Sequence, residues 1–202
     1  MLQSKAEQRR AAYDARQLQE NKDIVSQKIC AGVLALKAYQ QASTVLWYLH
    51  CRSEVRTYQT VQAEIQRQNK RVVIPYCTED EQGNPQLGLW WVQSLSELVP
   101  GTWGILEPPK SRWHDADRHI FPEALDFIVT PGVAFDATGG RLGNGAGYYD
   151  RLLAAVGQHT YLLGIGFDCQ MVEQVAMQAY DVYMDAVMTE HHFYQAISAI
   201  AS

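Results

Sequence analysis

The segment from Asp126 to Asp150 constrains the fold of this chain more than any other part of the sequence. It begins with the apolar run Phe127–Val129, which is typical of a buried strand. A loop with glycine at positions 143, 145 and 147 follows, and the segment ends on two tyrosines and Asp150, where we expect a helix to start. A strand, a glycine-rich loop and a helix in this order predict an α/β fold with an anion site at the loop.

The glycine loop is suited to phosphate because of its backbone. Glycine has no Cβ, so the chain can turn its N–H groups toward a phosphate at close range. The N-terminus of the following helix adds unpaired N–H groups and a partial positive charge. Arg141 can donate two parallel hydrogen bonds to phosphate, and Asp150 can hold a divalent cation that contacts it. Taken alone, the loop is explained equally well as a tight connection between a strand and a helix.

Composition narrows the class of protein. With 202 residues and 47% hydrophobic content, we expect one α/β domain spanning residues 1–202. A net charge of -5 and a pI near 5.6 argue against a nucleic-acid partner. The longest apolar runs are far shorter than the ~20 residues that span a bilayer, and residues 1–10 lack the apolar core of a secretory signal. We therefore expect a cytosolic monomer with no membrane partner. The four cysteines are scattered, which favours free thiols.

Periodicity outlines the remaining elements. The predicted helices are residues 4–19, capped by Ser4 with Glu7 three residues on, residues 23–39, a helix following Glu54 with Tyr58, Val61 and Ile65 on one face, and residues 171–177. Ile24, Ile29, Val33 and Leu36 are predicted to be the buried side of the second helix. The predicted strands are residues 45–49, 71–76, 161–167 and 185–189. Five prolines predict loops and short strands between residues 79 and 123.

The alternation of strands and helices predicts a largely parallel sheet with helices on both faces. This is a single-domain, three-layer α/β/α sandwich of Rossmann-like type. In such a sheet, ligands bind at the carboxyl ends of the strands. Glu54 follows one predicted strand and precedes a helix, so we expect it to face a ligand.

A wider set of motifs points to one family. The run Pro131–Asp136, followed by Arg141–Asp150, closely resembles the signature of the 5-formyltetrahydrofolate cyclo-ligase family, also called methenyltetrahydrofolate synthetase. The other matching elements occur in the expected order and are Lys5 with Arg9, Glu54 with Thr57, Val73–Tyr76, Gly164–Asp168, and Asp181 with Asp185. The resemblance covers nearly the whole chain. It implies a fold similar to the NagB/RpiA/CoA-transferase-like group.

The resemblance also implies a reaction. Members of this family cyclise 5-formyltetrahydrofolate to 5,10-methenyltetrahydrofolate with ATP and Mg²⁺, releasing ADP and phosphate. The formyl oxygen is a poor leaving group, so it is thought to receive the γ-phosphoryl group before N10 attacks the formyl carbon. A phosphoryl transfer of this kind requires mainly positioning and charge neutralisation from the protein.

The family pattern implies roles for particular residues. The ATP-binding residues would be Lys5, Arg9, Arg141, Gly143, Asn144, Gly145, Ala146, Gly147, Tyr148 and Tyr149. The folate-binding residues would be Leu49, Glu54, Trp103, Asn144, Gly145, Ala146, Gly147 and Tyr148. Arg141 and Tyr148 would be catalytic, and Asp150 and Asp185 would hold magnesium.

Structural explanations exist for several of these residues. Lys5 and Arg9 also fit a solvated helix face, Leu49 fits strand core, and Trp103 fits a tryptophan packed in a surface loop. Asn144 and Ala146 stand where many family members have a basic residue, which leaves open a binding module that has lost turnover. A dinucleotide-dependent oxidoreductase is disfavoured, because the glycine motif lies late in the chain and no acidic residue ends a strand ~20 residues on.

Overall fold

The computed structural model describes residues 4–196. The helices are α1 Lys5–Leu18, α2 Lys22–Ala35, α3 Lys37–Gln41, α4 Tyr58–Arg67 and α5 Tyr148–Ala155. The strands are β1 Thr44–Leu46, β2 Arg71–Glu79, β3 Pro85–Trp91, β4 Val99–Pro100, β5 Leu106–Glu107, β6 Phe127–Pro131, β7 Ala134–Phe135, β8 Arg141–Leu142, β9 Tyr161–Ile165, β10 Ala186–Met188 and β11 Phe193–Gln195. Across these described residues, the helices are too short or too polar to cross a membrane.

Seven strands form the central sheet in the order β11-β10-β9-β6-β1-β2-β3. The five inner strands, from β10 to β2, are parallel to one another. The outer strands β3 and β11 run antiparallel to their neighbours. Consecutive parallel strands require crossover connections, which place helices on the faces of the sheet.

Successive side chains of a strand point to opposite faces of the sheet, so a hydrophobic core forms on each face. On one face, strand residues such as Val45 pack with Ile29 and Val33 of α2 and with Val61 of α4. On the other face, Leu46 belongs to a core that includes Leu152 and Leu153 of α5 and Phe135 of the short β7–β8 hairpin. The three-layer α/β/α architecture and the largely parallel sheet are confirmed.

Several local predictions are corrected. The predicted second helix is broken at Leu36, which adopts an extended conformation with φ −65° and ψ 132°. Ile24, predicted to be buried, is 70% exposed. Residues 171–177, predicted as a helix, follow the 3₁₀ turn Asp168–Gln170 without regular structure. Their backbone N–H groups instead donate to other parts of the structure. Val175 N–H, for example, donates to the carboxylate of Asp136.

Strand β2 also continues beyond its predicted end at Tyr76. It pairs with β1 only as far as Val73, whereas its pairing with β3 extends from Val73 to Glu79. Pro75 therefore lies where no pairing with β1 is needed, and its missing N–H does not interrupt the sheet. Residues 79–123 contain loops and the strands β3, β4 and β5, as predicted, and β3 is longer than expected because it pairs with β2 over seven residues.

Asp126 and Asp136, two acids of the segment Asp126–Asp150, have structural roles. Asp126 accepts hydrogen bonds from the N–H groups of Ser43 and Thr44 at 2.8 Å each. Asp136, which is 1% exposed, accepts from Thr138 N and Oγ1, Gly140 N and Val175 N at 2.7–2.9 Å. This carboxylate holds the β7–β8 hairpin, whose second strand leads into the glycine loop.

Asp136→Ala is expected to lower the free energy of unfolding by about 3 kcal/mol or more, because it leaves buried N–H groups of Gly140 and Val175 without an acceptor. Urea unfolding measures the change. The matched control is Asp117→Ala, whose side chain is 83% exposed and which should shift stability by less than about 0.5 kcal/mol. Equal effects of the two substitutions would contradict this role for Asp136.

Candidate active site

A cavity of about 410 Å³ lies at the carboxyl edge of the parallel strands. It is lined by Tyr48 and Leu49, which follow β1, and by Gly132 and Val133, which follow β6. The glycine loop lies along one side. Adjacent parallel strands end at the same edge of the sheet, so residues distant in sequence converge there.

The glycine loop leads directly into α5. Gly147 is the N-cap of this helix and has φ 72°, and Gly145 has φ 100°, a conformation that glycine adopts without strain. Arg9 of α1 donates from Nε to the carbonyl of Gly143 at 2.8 Å, and Arg151 of α5 donates to the carbonyl of Ala146 at 2.8 Å. Two cations therefore flank a loop that carries none of its own.

Arg141 and Asp150 form an ion pair on the cavity wall. Arg141 is 5% exposed and donates from Nη2 to Asp150 Oδ1. Burial lowers the pKa of Arg141, and the charge of Asp150 opposes this shift. Arginine remains protonated in proteins, so a fixed positive charge lies beside the glycine loop. The Asp150 side chain keeps 31% of its surface exposed, which leaves it accessible from the cavity.

Three aromatic residues were predicted to contribute to the site, and all line the cavity. The rings of Trp103 and Tyr148 meet edge to face, with centroids 6.3 Å apart. Trp103 is 60% exposed and has φ 57°, so it stands out from its loop next to the opening. The hydroxyl of Tyr149 is buried and has no hydrogen-bond partner among residues 4–196, and burial raises its pKa.

Glu54 lines the cavity from the loop between β1 and α4. Its Oε2 accepts a hydrogen bond from Cys51 N–H at 2.9 Å. Burial raises the pKa of Glu54, whereas the Cys51 N–H and the charges of Arg16 and Arg52 oppose the rise. Leu49 is 6% exposed, lines the cavity and belongs to the main core, so its position is compatible with folate contact as well as with core packing.

His50 and Thr57 hold this loop closed. Thr57 N–H donates to His50 Nδ1 at 3.1 Å, and His50 N–H donates to Thr57 Oγ1 at 3.2 Å. Nδ1 can accept only when it is unprotonated. Burial lowers the pKa of His50 below its ordinary value of 6.5, which is consistent with a neutral ring.

This arrangement predicts a pH-dependent stability. The unfolded chain binds a proton at His50 near pH 6.5, whereas the folded chain binds it only at lower pH. The stabilisation is therefore complete above pH 6.5 and is lost as the pH falls toward the folded-state pKa. His50→Asn keeps an acceptor and cannot titrate, so its unfolding free energy should fall less than that of the wild type between pH 7 and pH 5. Parallel urea-unfolding curves would contradict this.

Three residues predicted for the site, Lys5, Arg9 and Asp185, do not line the cavity. Asp185, at the start of β10, accepts from Leu162 N–H at 2.7 Å at the amino ends of the strands, across the sheet from Asp150. Asp150 and Asp185 therefore lie at opposite ends of the parallel strands in this structure, and magnesium binding by both acids stays a prediction. Lys5 Nζ lies 2.6 Å from Asp181 Oδ2 and also donates to Gln178. Arg9, one turn later, contacts the glycine loop, whereas Lys5 is paired elsewhere.

Sequence reasoning missed other cavity residues. Tyr13 and Arg16 of α1 line the cavity, and Tyr13 donates from its hydroxyl to Asn144. Their spacing continues that of Lys5 and Arg9 along one helical face, so periodicity alone could have identified them. Tyr76 also lines the cavity because β2 extends past the end of β1.

The fold and the cavity define an α/β protein with a site for a small molecule. The model of the 5-formyltetrahydrofolate cyclo-ligase family matches residues 3–190. The chain is 34% identical to the 5-formyltetrahydrofolate cyclo-ligase of Escherichia coli strain K12, covering 90% of this chain and 94% of that protein. The corresponding mouse protein is 27% identical, covering 94% and 92%. The chain therefore belongs to the 5-formyltetrahydrofolate cyclo-ligase family.

Solved structures agree with this assignment. The 5,10-methenyltetrahydrofolate synthetase of Aquifex aeolicus superposes with a TM-score of 0.79 at 28% identity, covering 98% of this chain and 95% of that one. The synthetase of Mycoplasma pneumoniae shares the fold, with a TM-score of 0.71 over 93% of this chain and 99% of its own. The sequence-based predictions of the family, the fold and a ligase activity are confirmed.

Proposed function

We propose that this protein catalyses the ATP- and magnesium-dependent cyclisation of 5-formyltetrahydrofolate to 5,10-methenyltetrahydrofolate. One observation carries the assignment beyond family membership. A single cavity is lined both by a desolvated carboxylate, Glu54, and by the glycine loop with Arg141. The first suits the polar edge of a pterin, and the second suits a phosphate chain.

The proposed chemistry proceeds in two bond-forming steps. The formyl oxygen attacks the γ-phosphorus of ATP, and ADP leaves. N10 then attacks the formyl carbon, the proton on N10 is lost, and phosphate leaves with the former formyl oxygen. Arg141 and Arg9 are proposed to neutralise charge on the phosphates, while Tyr148 and Trp103 bound the space in which the two substrates meet.

Asp150 is the residue proposed to hold Mg²⁺. Among residues 4–196 no cluster of three or more His, Cys, Asp or Glu side chains is arranged around a metal. Mg²⁺ in nucleotide enzymes is commonly held by one or two carboxylates together with phosphates and water, so one partly exposed carboxylate beside the loop fits this ion. The bound ion would offset negative charge on the transferring phosphoryl group.

Further proposals concern the location, assembly and partners of the protein and two additional nucleotide ligands. The protein is proposed to act as a cytosolic monomer whose partners are its two small-molecule substrates, without nucleic acid or membrane. Lys5 and Tyr149 remain proposed nucleotide ligands, and Lys5 would have to release Asp181 to take that role.

A direct assay tests the activity. Purified protein is mixed with ATP, MgCl₂ and 5-formyltetrahydrofolate, and the ultraviolet absorbance of the methenyl product is followed. Product that depends on both ATP and Mg²⁺ supports the proposal. Calorimetric binding of folate with no product at high enzyme concentration would instead identify a binding module without turnover.

A further inference from the structure

A buried cation on the cavity wall has no assigned role. Arg16, on α1, is 3% exposed and lines the cavity. Its Nε donates to Ser53 Oγ at 3.0 Å, and its Nη1 donates to the carbonyl of Gly132 at 3.3 Å. Its guanidinium also lies over the ring of Tyr13, 5.0 Å from the centroid. These contacts hold the guanidinium in one orientation.

The charge of Arg16 lacks a direct counter-ion. Within residues 4–196, no carboxylate oxygen lies within 4.0 Å of its guanidinium, and its Nη2 makes no hydrogen bond. Among residues 4–196, two other arginines are strongly buried, Arg118 and Arg141, and each pairs with an acid. Burying an unpaired charge is costly, so an acceptor supplied by a ligand would offset the cost.

Arg16 and Glu54 are neighbours on this wall. Arg16 binds the side chain of Ser53, the residue before Glu54, and its charge opposes the rise in the pKa of Glu54 that burial causes. The wall therefore offers an acceptor, the carboxylate, beside a donor, the guanidinium. A ligand edge that matches it must present donors next to an acceptor.

We propose that Arg16 is a specificity-determining residue that donates a hydrogen bond to O4 of the pterin ring. This inference rests on the proposed function. The edge of a 4-oxo pterin carries the 2-amino group and N3–H as donors, adjacent to O4 as an acceptor. Glu54 accepts from the first two, and Arg16 donates to the third. In a 4-amino pterin, N3 has lost its hydrogen and position 4 carries a donor. The contact of N3–H with Glu54 and the contact of O4 with Arg16 are therefore lost.

The experiment measures binding without turnover. Calorimetry in the absence of ATP gives the Kd of 5-formyltetrahydrofolate and of its 4-amino-4-deoxy counterpart. The wild type should bind the 4-oxo ligand at least about 100-fold more tightly. Arg16→Met should weaken binding of the 4-oxo ligand by about 10-fold to 100-fold and leave the 4-amino ligand almost unaffected, so that the preference shrinks. Arg10→Met, on the exposed side of α1, is the matched control and should change neither value.

Several outcomes would overturn the proposal. An unchanged ratio of the two Kd values in Arg16→Met would mean that Arg16 does not contact O4. Full rescue of the variant between pH 6 and pH 8 would mean that Arg16 only keeps Glu54 ionised. If Arg16→Met does not fold, Arg16→Leu, which also lacks a donor, takes its place. A wild type that binds both ligands equally already excludes the contact. A wild type that binds neither ligand and makes no product contradicts the proposed function itself.

Discussion

Arg141→Met is expected to reduce kcat by about 10³-fold, equivalent to about 4 kcal/mol of transition-state stabilisation. Arg141 is the buried, always charged donor on the cavity wall next to the glycine loop. Phosphoryl transfer depends on neutralising charge around the transferring group, and methionine fills a similar volume without a charge. The KM for folate should change less than kcat, because the wall formed by Glu54 is untouched. Steady-state kinetics with each substrate varied in turn measures both constants.

Stability must be separated from catalysis in this variant. Losing Arg141 leaves Asp150 without its ion-pair partner, so the melting temperature is measured alongside the rate. Arg112→Met is the matched control. Arg112 pairs with Glu97 and Asp115 outside the cavity and should leave kcat unchanged. If folded Arg141→Met retained kcat within about threefold of the wild type, the charge of Arg141 would not act on the transferring phosphate.

The elements that the sequence predicted well are those set by local physics. Helix α1 begins at Lys5 because Ser4 and Glu7 form a capping box, and α4 follows the apolar spacing of Val61 and Ile65. The buried inner strands read as continuous apolar runs. Their alternation with helices was sufficient to predict a parallel sheet covered on both faces.

The failures arise where tertiary contacts decide the structure. Residues 171–177 have a helical apolar pattern, but Val175 N–H donates to Asp136 and Ala176 N–H donates to Gln8, so the segment is tied to other elements. Ile24 lies in the first turn of α2 and faces solvent, although it shares the apolar character of Ile29. Propensity does not record which side of a helix the sheet occupies.

The residues of the candidate site also fall into two groups, those placed by a local motif and those placed by the tertiary fold. The glycine loop, Arg141 and Asp150 are close in sequence, so one motif predicts their proximity. Asp185 and Arg16 depend on the path of the chain. A position at the start of a parallel strand places Asp185 at the edge away from the cavity, and the direction of α1 brings Arg16 beside Ser53. A sequence without measured strand boundaries cannot separate these cases.

Asp150→Asn and Asp185→Asn test which acid binds magnesium. We expect the first substitution to change the MgCl₂ dependence of the rate and the second to leave it unchanged. Asparagine keeps the size of the side chain and can still accept the hydrogen bonds from Arg141 and from Leu162 N–H. Asp150→Asn removes the charge beside the glycine loop, so we expect about a 10²-fold loss of activity at a fixed Mg²⁺ concentration. Part of the loss should be recovered as MgCl₂ is raised, because the nucleotide phosphates continue to bind the ion.

Asp185→Asn should leave the MgCl₂ dependence of the rate unchanged, since this residue caps Leu162 N–H at the opposite edge of the sheet. Titration of activity with MgCl₂ at saturating ATP and folate compares the two variants with the wild type. A rightward shift of the titration for Asp185→Asn, together with a wild-type curve for Asp150→Asn, would assign magnesium to Asp185. That result would require residues 185–196 to be rearranged in the substrate complex, because Asp185 here binds Leu162 and the backbone of Ala196 binds Asp185.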